Sequence, residues 1–227
     1  MLSKENLLLR IANEKVIECT LCPRLTKYIS EVGKTKTKRF KDQIYWAKPV
    51  PTFGDPKARL LIIGLAPAAH GGNRTGRIFT GDSSGDWLVK ALFETGFTNK
   101  PTSVSRYDGL ILKDVYVTSA VRCAPPDNKP SPFELSNCSE HLTSQIKILN
   151  KTTKVILALG KIAFDAFCSI YNLKGLKFGH NKIYTLFPDD KTLIASYHPS
   201  RRNTSTGRLT WAMWINIFET ARLRING

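Results

Sequence analysis

Residues 58–85 read "ARLLIIGLAPAAHGGNRTGRIFTGDSSG". The first seven are almost wholly apolar and predict a buried strand over 59–63. The polar segment that follows, Gly64 to Gly85, holds six glycines, one histidine and a single acid, Asp82. A loop of that length inside a compact domain is usually either functional or disordered. A helix-like segment, "SGDWLVKALFETG" (84–96), closes it, with Ser84 placed to cap its first turn.

The same alternation extends outward in both directions. Residues 3–18 read as an amphipathic helix. "DVYVTSAV" (114–121), "KVILALG" (154–160), "KIYTLFP" (182–188) and "KTLIASYH" (191–198) read as strands. Helical patterns cover 131–150, 161–172 and 210–224, the first carrying a capping box from Ser131 to Glu134. Apolar strands alternating with helices predict a three-layer α/β/α domain around a mostly parallel sheet. No linker or repeat divides residues 1–227, so one domain is expected. Such sheets bind ligands beyond the carboxyl ends of their strands. The opening loop lies at such an end, as do "RCAPPDNKPSP" and "HPSRRNTSTGRLT". The basic stretch "KTKTKRFKDQ" (34–43) reads as a polar connector, either a phosphate-contacting loop or a solvated one.

Lysine and arginine total 34 against 18 acids, a net charge of +16. That excess draws a polyanion, above all nucleic acid, by phosphate contact and counterion release. General solubility or an acidic protein partner is the plainer alternative. No run approaches the roughly 18 consecutive apolar residues of a membrane span. The first residues carry charges through their apolar positions, unlike a secretory signal. A cytoplasmic, nucleoid-associated protein is expected.

Five cysteines in such a chain argue against a disulfide framework. Cys19 and Cys22 form a C-x2-C pair, whereas fourteen residues separate Cys123 from Cys138. A zinc ribbon prefers two C-x2-C knuckles. The looser second pair suits a cluster of four irons and four sulfides held by four thiolates. Four unligated thiols are the remaining alternative. Cys168 sits on an apolar helical face and reads as a core residue.

Three motifs, 64–85, "AVRCAPPDNKP" (120–130) and "SYHPSRRNTSTGRLT" (196–210), together with the four cysteines, resemble the family 5 (UDGb-type) uracil-DNA glycosylases. The resemblance runs from Cys19 to the last helix. Family 4 enzymes share the cluster, but their first motif reads G-E-A-P-G where this chain has Gly64-Leu65-Ala66-Pro67-Ala68. They also carry Thr-Asn where this chain has Thr118-Ser119. The resemblance implies a uracil-DNA glycosylase fold, a structural 4Fe–4S cluster on Cys19, Cys22, Cys123 and Cys138, and excision of uracil and other deaminated bases such as hypoxanthine.

It also implies roles for single residues. A base in a duplex must be flipped out, stacked and hydrogen-bonded on its edge. Phe79 is the implied stacking platform, and Asn128 the amide that reads the base. Gly64, Ala66 and His70 would line the base pocket. His198 would donate to the base O2, with His70 as a second donor. Leu65 and Ala66 are inert, so Asp82 is the nearest acid to position water or stabilise the sugar cation; an N-cap to the next helix is its plainer role. Asn73, Arg74 and Arg77 fit sugar-phosphate contacts. Ser200, Arg201 and Arg202 lie in what resembles the DNA wedge loop, or in a plain basic loop.

The expected partners are double- and single-stranded DNA carrying uracil or deaminated bases, with a sliding clamp as a protein partner, no membrane, and a monomer as the default. Two rivals stand beside this reading: a family 4-like enzyme restricted to uracil, and a non-catalytic DNA-binding protein stabilised by a cluster or by zinc.

Overall fold

Apolar runs with no exposed residue form the centre of a six-stranded sheet in a computed structural model that describes residues 3–227. The strands are β1 (Phe53–Gly54), β2 (Leu60–Gly64), β3 (Val115–Ser119), β4 (Val155–Leu159), β5 (Lys182–Leu186) and β6 (Lys191–Ser196). Their order is β1-β3-β2-β4-β6-β5. The inner four are parallel, while β1 and β5 pair antiparallel at the two edges.

The pleat sends alternate side chains to opposite faces. Leu60, Ile62, Val115, Val117, Val155 and Leu157 enter one apolar layer. Leu61, Ile63, Tyr116, Ile156 and Ala158 enter the other. The eight helices are α1 (Lys4–Ile17), α2 (Pro23–Thr35), α3 (Gly72–Thr75), α4 (Ser83–Glu94), α5 (Pro132–Leu149), α6 (Lys161–Ile170), α7 (Arg201–Ser205) and α8 (Trp211–Asn226). The first layer is closed by α4 and α8, with Trp214 and Phe218 at its centre. The second is closed by α5 and α6. The three-layer α/β/α expectation is met. No helix among the described residues is long and apolar enough to cross a membrane.

Two local readings are corrected. The cap of α4 is Asp82, not Ser84: its carboxylate accepts from the amides of Ser84 and Gly85. The connector read over 34–43 is preceded by an unforeseen helix, α2, and contains only a single 3-10 turn at Lys38–Phe40. Leu25, Ile29 and Val32 bury one stripe of α2, following Pro23 at its first turn.

α2 is fastened to α5 at the N-termini of both. The capping box of α5 is present, Ser131 and Glu134 bonding each other's amides. Glu134 also accepts from Arg24 Nε and Nη2 at 2.7 Å each, a bidentate clamp. Arg24 lowers the Glu134 pKa, so the stabilisation is full above the ordinary glutamate range and is lost as the pH falls through it. We expect Glu134→Ala to cost about 1–2 kcal/mol at pH 7. Chemical unfolding at pH 7 and pH 3 checks this: the gap between wild type and variant narrows at the lower pH.

Candidate active site

The long loop after β2 is held from inside by two arginines. Arg77 is buried and donates to Asp108 Oδ1 and Oδ2 at 2.9 and 2.8 Å, to Ser103 Oγ at 2.7 Å and to Thr80 Oγ1 at 3.0 Å. Burial alone raises the Asp108 pKa; Arg77 and the amides of Leu110, Val104 and Ser105 outweigh it and bring the group down to about 2. Arg74 donates to the carbonyls of His70 and Gly81 and to Gln43 Oε1, with its guanidinium 4.0 Å from the Phe40 ring centre. Asn73 is fully buried and donates to the carbonyls of Ile29 and Ala69. Asn73 and Arg77, expected at sugar-phosphate, turn their side chains inward and hold the loop, while Arg74 holds it too and also lines an open cleft.

So held, the loop sets a ring and an acid on glycines. Phe79 has φ +50° and lies across the end of β2. A Cβ on Gly64 would stand 2.8 Å from Phe79 Cε2 and Cζ, so only glycine permits the contact. The Phe79 ring stacks on His198, centroids 5.9 Å apart and planes 27° from parallel. The loops after β2 and β6 thus meet. His198 is half-buried, and burial lowers its pKa to about 4, so the ring is neutral at pH 7. Neither of its ring nitrogens has a hydrogen-bond partner among the described residues.

Asp82 divides its two oxygens. Oδ1 accepts from Ser84 N and Gly85 N at 3.0 Å each. Oδ2 lies against Gly71, where any Cβ would overlap it, and it makes no hydrogen bond among the described residues. Burial raises the Asp82 pKa, and the amides of Gly85 and Ser84 oppose that only in part. His70 Nδ1 pairs with Tyr45 Oη at 3.0 Å, and burial followed by the Arg74 charge lowers its pKa.

The remaining residues are spread around this centre. Ala66 is half-buried and packs beside the cysteines. Asn128 is exposed with φ +56°, in a turn after β3. Ser200 caps α7, whose first two residues, Arg201 and Arg202, are exposed.

The cysteines meet across a hundred residues of sequence. Cys19, Cys22, Cys123 and Cys138 line one small cavity with Arg122 and His141. Asn137 donates to Cys22 Sγ, and the Arg122 amide to Cys138 Sγ. Among the described residues no three histidine, cysteine or acidic side chains converge closely enough for a single ion. The Arg122 side chain is 1% exposed. It reaches Ser119 Oγ and Gln145 Oε1, faces no carboxylate, and leaves Nε unpaired. His141 Nε2 is also buried and unpaired. Cys168 is buried in the second apolar layer, away from these four.

The sequence profile of the uracil DNA glycosylase superfamily matches residues 51–222. A type-5 uracil-DNA glycosylase of Thermus thermophilus is 48% identical over 206 residues, 90% of this chain and 92% of that protein. One from Pyrobaculum aerophilum is 45% identical over 196 residues, 86% of this chain and 84% of its own. A type-4 uracil-DNA glycosylase of Thermotoga maritima is 30% identical over 195 residues, 85% and 82% of the two chains. The chain belongs to the uracil DNA glycosylase superfamily, and within it to the type-5 branch.

Sequence reading passed over Tyr45, Asp108, Arg122 and His141. Only Arg122 left a signal, as a lone charge at the end of the apolar run "VYVTSAVRC". The corrected role of Arg77 is testable. Arg77→Met strands the Asp108 charge and is expected to cost about 3–5 kcal/mol in urea unfolding. The salt dependence of DNA binding should not change, whereas loss of a phosphate contact lowers its slope by about 1.

Proposed function

We propose that this protein removes uracil from DNA by hydrolysing the N-glycosidic bond, leaving an abasic site. The observation that carries the chemistry is the divided Asp82 carboxylate, one oxygen capping α4 and the other uncommitted. The flipped base stacks on Phe79 over Gly64 and Ala66, and the Asn128 amide reads its edge. Neutral His198 donates a ring N–H to the base oxygen. Its low pKa favours that form, since burial penalises the charged imidazolium and leaves the ring neutral at pH 7.

As the C1′–N bond breaks, its electron pair leaves with the base and the sugar turns cationic. Asp82 Oδ2 faces that charge and orients a water. The water oxygen bonds to C1′, and its proton passes through Asp82 to solvent or to the departing base. Ser200, Arg201 and Arg202 hold the strand at the flipped site, their exposure and basic character supporting phosphate contact. Hypoxanthine is proposed as a second substrate, as the resemblance to the family 5 enzymes implies.

The thiol cavity supports the cluster reading. Four thiols line one cavity without converging on a single ion, beside a buried guanidinium that no carboxylate neutralises among the described residues. An arginine cannot shed its charge, and an uncompensated buried charge is costly. Four thiolates around a 4Fe–4S cluster carry net negative charge and would neutralise it. When bound, the cluster would supply a cross-link between the start of α2, the end of β3 and α5. Arg122→Met separates the readings. With a cluster, the variant retains less iron and melts lower. Without one, replacing an unpaired buried charge by an apolar chain raises stability, by about 1–4 kcal/mol.

Asp82→Asn tests the chemistry. Asparagine caps a helix as well as aspartate, so stability should stay within about 0.5 kcal/mol. Uracil release should fall by about 10²–10⁴-fold. For the wild type, kcat/KM should rise with pH through a value above the ordinary aspartate range, because Asp82 must be ionised. The variant should lack that acid limb. Unchanged release by a stable Asp82→Asn would reduce Asp82 to a cap.

A further inference from the structure

The segment 34–48 touches the site through Phe40, Gln43 and Tyr45, but its cations have no part in it. It carries Lys34, Lys36, Lys38, Arg39, Lys41 and Lys48 against one acid, Asp42. It forms one wall of a cleft of about 650 Å³; the facing wall is the loop at Val104–Tyr107. Arg74 and Thr75 form part of its lining, so the glycine-rich loop that carries Phe79 and Asp82 also borders the cleft.

The cleft combines free cations with an open aromatic face. Lys48 and Arg106 line it, Lys38, Arg39 and Lys41 precede its wall in the same segment, and none of the five makes an ion pair among the described residues. Arg106 is held between two rings, 4.4 Å from the Trp46 centroid and 5.3 Å from that of Tyr107. Trp46 is fixed by its Nε1 bond to the Pro49 carbonyl, and its other face rests on Gly76. Tyr107 is 86% exposed and Ile44 94% exposed. Large apolar groups left in water beside uncompensated cations fit a ligand with both flat faces and negative charge.

We infer that this cleft is a second nucleic-acid subsite. It takes nucleotides of the uracil-bearing strand on one side of the flipped residue, stacking a base on Tyr107 while Arg106, Lys48 and the 38–41 cations hold phosphates. This rests on the glycosylase reading for the identity of the strand. Exposed aromatics among cations are how proteins hold single strands without reading sequence. The charge complementarity favours DNA over a protein partner: an apolar protein surface would leave five cations unmatched.

The test uses Tyr107→Ala and the triple variant Lys38→Ser, Arg39→Ser, Lys41→Ser of the full chain, none of which alters a residue assigned to catalysis or a buried side chain. Two readouts are taken: anisotropy with a uracil-free single strand, and uracil release from single strands trimmed to one nucleotide on either side of the uracil. Tyr107→Ala should weaken binding of the long strand about tenfold. The triple variant should lower the salt slope by about 2. Trimming one side should cost the wild type about tenfold in kcat/KM and cost Tyr107→Ala nothing further. Wild-type binding and salt slope in both variants would overturn the subsite, as would equal sensitivity of Tyr107→Ala and wild type to trimming. Weakened binding by the variants with no uracil release even by the wild type would uphold the subsite and remove the glycosylase reading.

Discussion

Everything in this site depends on one buried ion pair. Arg77 reaches across from the glycine-rich loop to Asp108, a residue that belongs to a different loop. Without such an anchor, a segment with six glycines would have many conformations of similar energy. With it, and with Arg74 bridging His70, Gly81 and Gln43, the loop has one. The two close approaches of the site follow from that rigidity. Phe79 lies on Gly64 and Asp82 lies on Gly71, each at a spot where no larger residue fits. The glycines therefore serve contact more than flexibility.

The sheet was legible because parallel strands buried on both faces read as unbroken apolar runs. The capping box of α5 and the alternation of strands and helices were equally plain. α2 was passed over although Leu25, Ile29 and Val32 keep helical spacing behind Pro23. The inward turn of Arg77 was hidden for a physical reason. A basic residue in a polar loop is exposed unless an acid waits for it, and Asp108 lies 31 residues further along the chain. Asn73 failed likewise, its partners being backbone carbonyls that leave no trace in sequence. Asp82 was singled out both as an acid near the chemistry and as a plausible cap; the cap is observed, and the chemistry is our proposal.

The thiol cavity and the base pocket we propose share a wall. Ala66 packs beside Cys123 and Cys138, and the backbone of Leu65 pairs with Val121 one residue before Arg122. A body bound among the thiols would thus stiffen the end of β3, from which the Asn128 turn departs. This gives a structural cluster a route to function without a place in the reaction. It also explains why a charge as costly as Arg122 would be kept in the interior, since an apolar residue would otherwise serve better.

The most direct measurement is the fate of a single uracil in duplex DNA given to the purified protein. Free uracil and an abasic strand, accompanied by release of hypoxanthine from a second duplex, is the predicted result. Tight binding of the uracil duplex with the base still attached would contradict it.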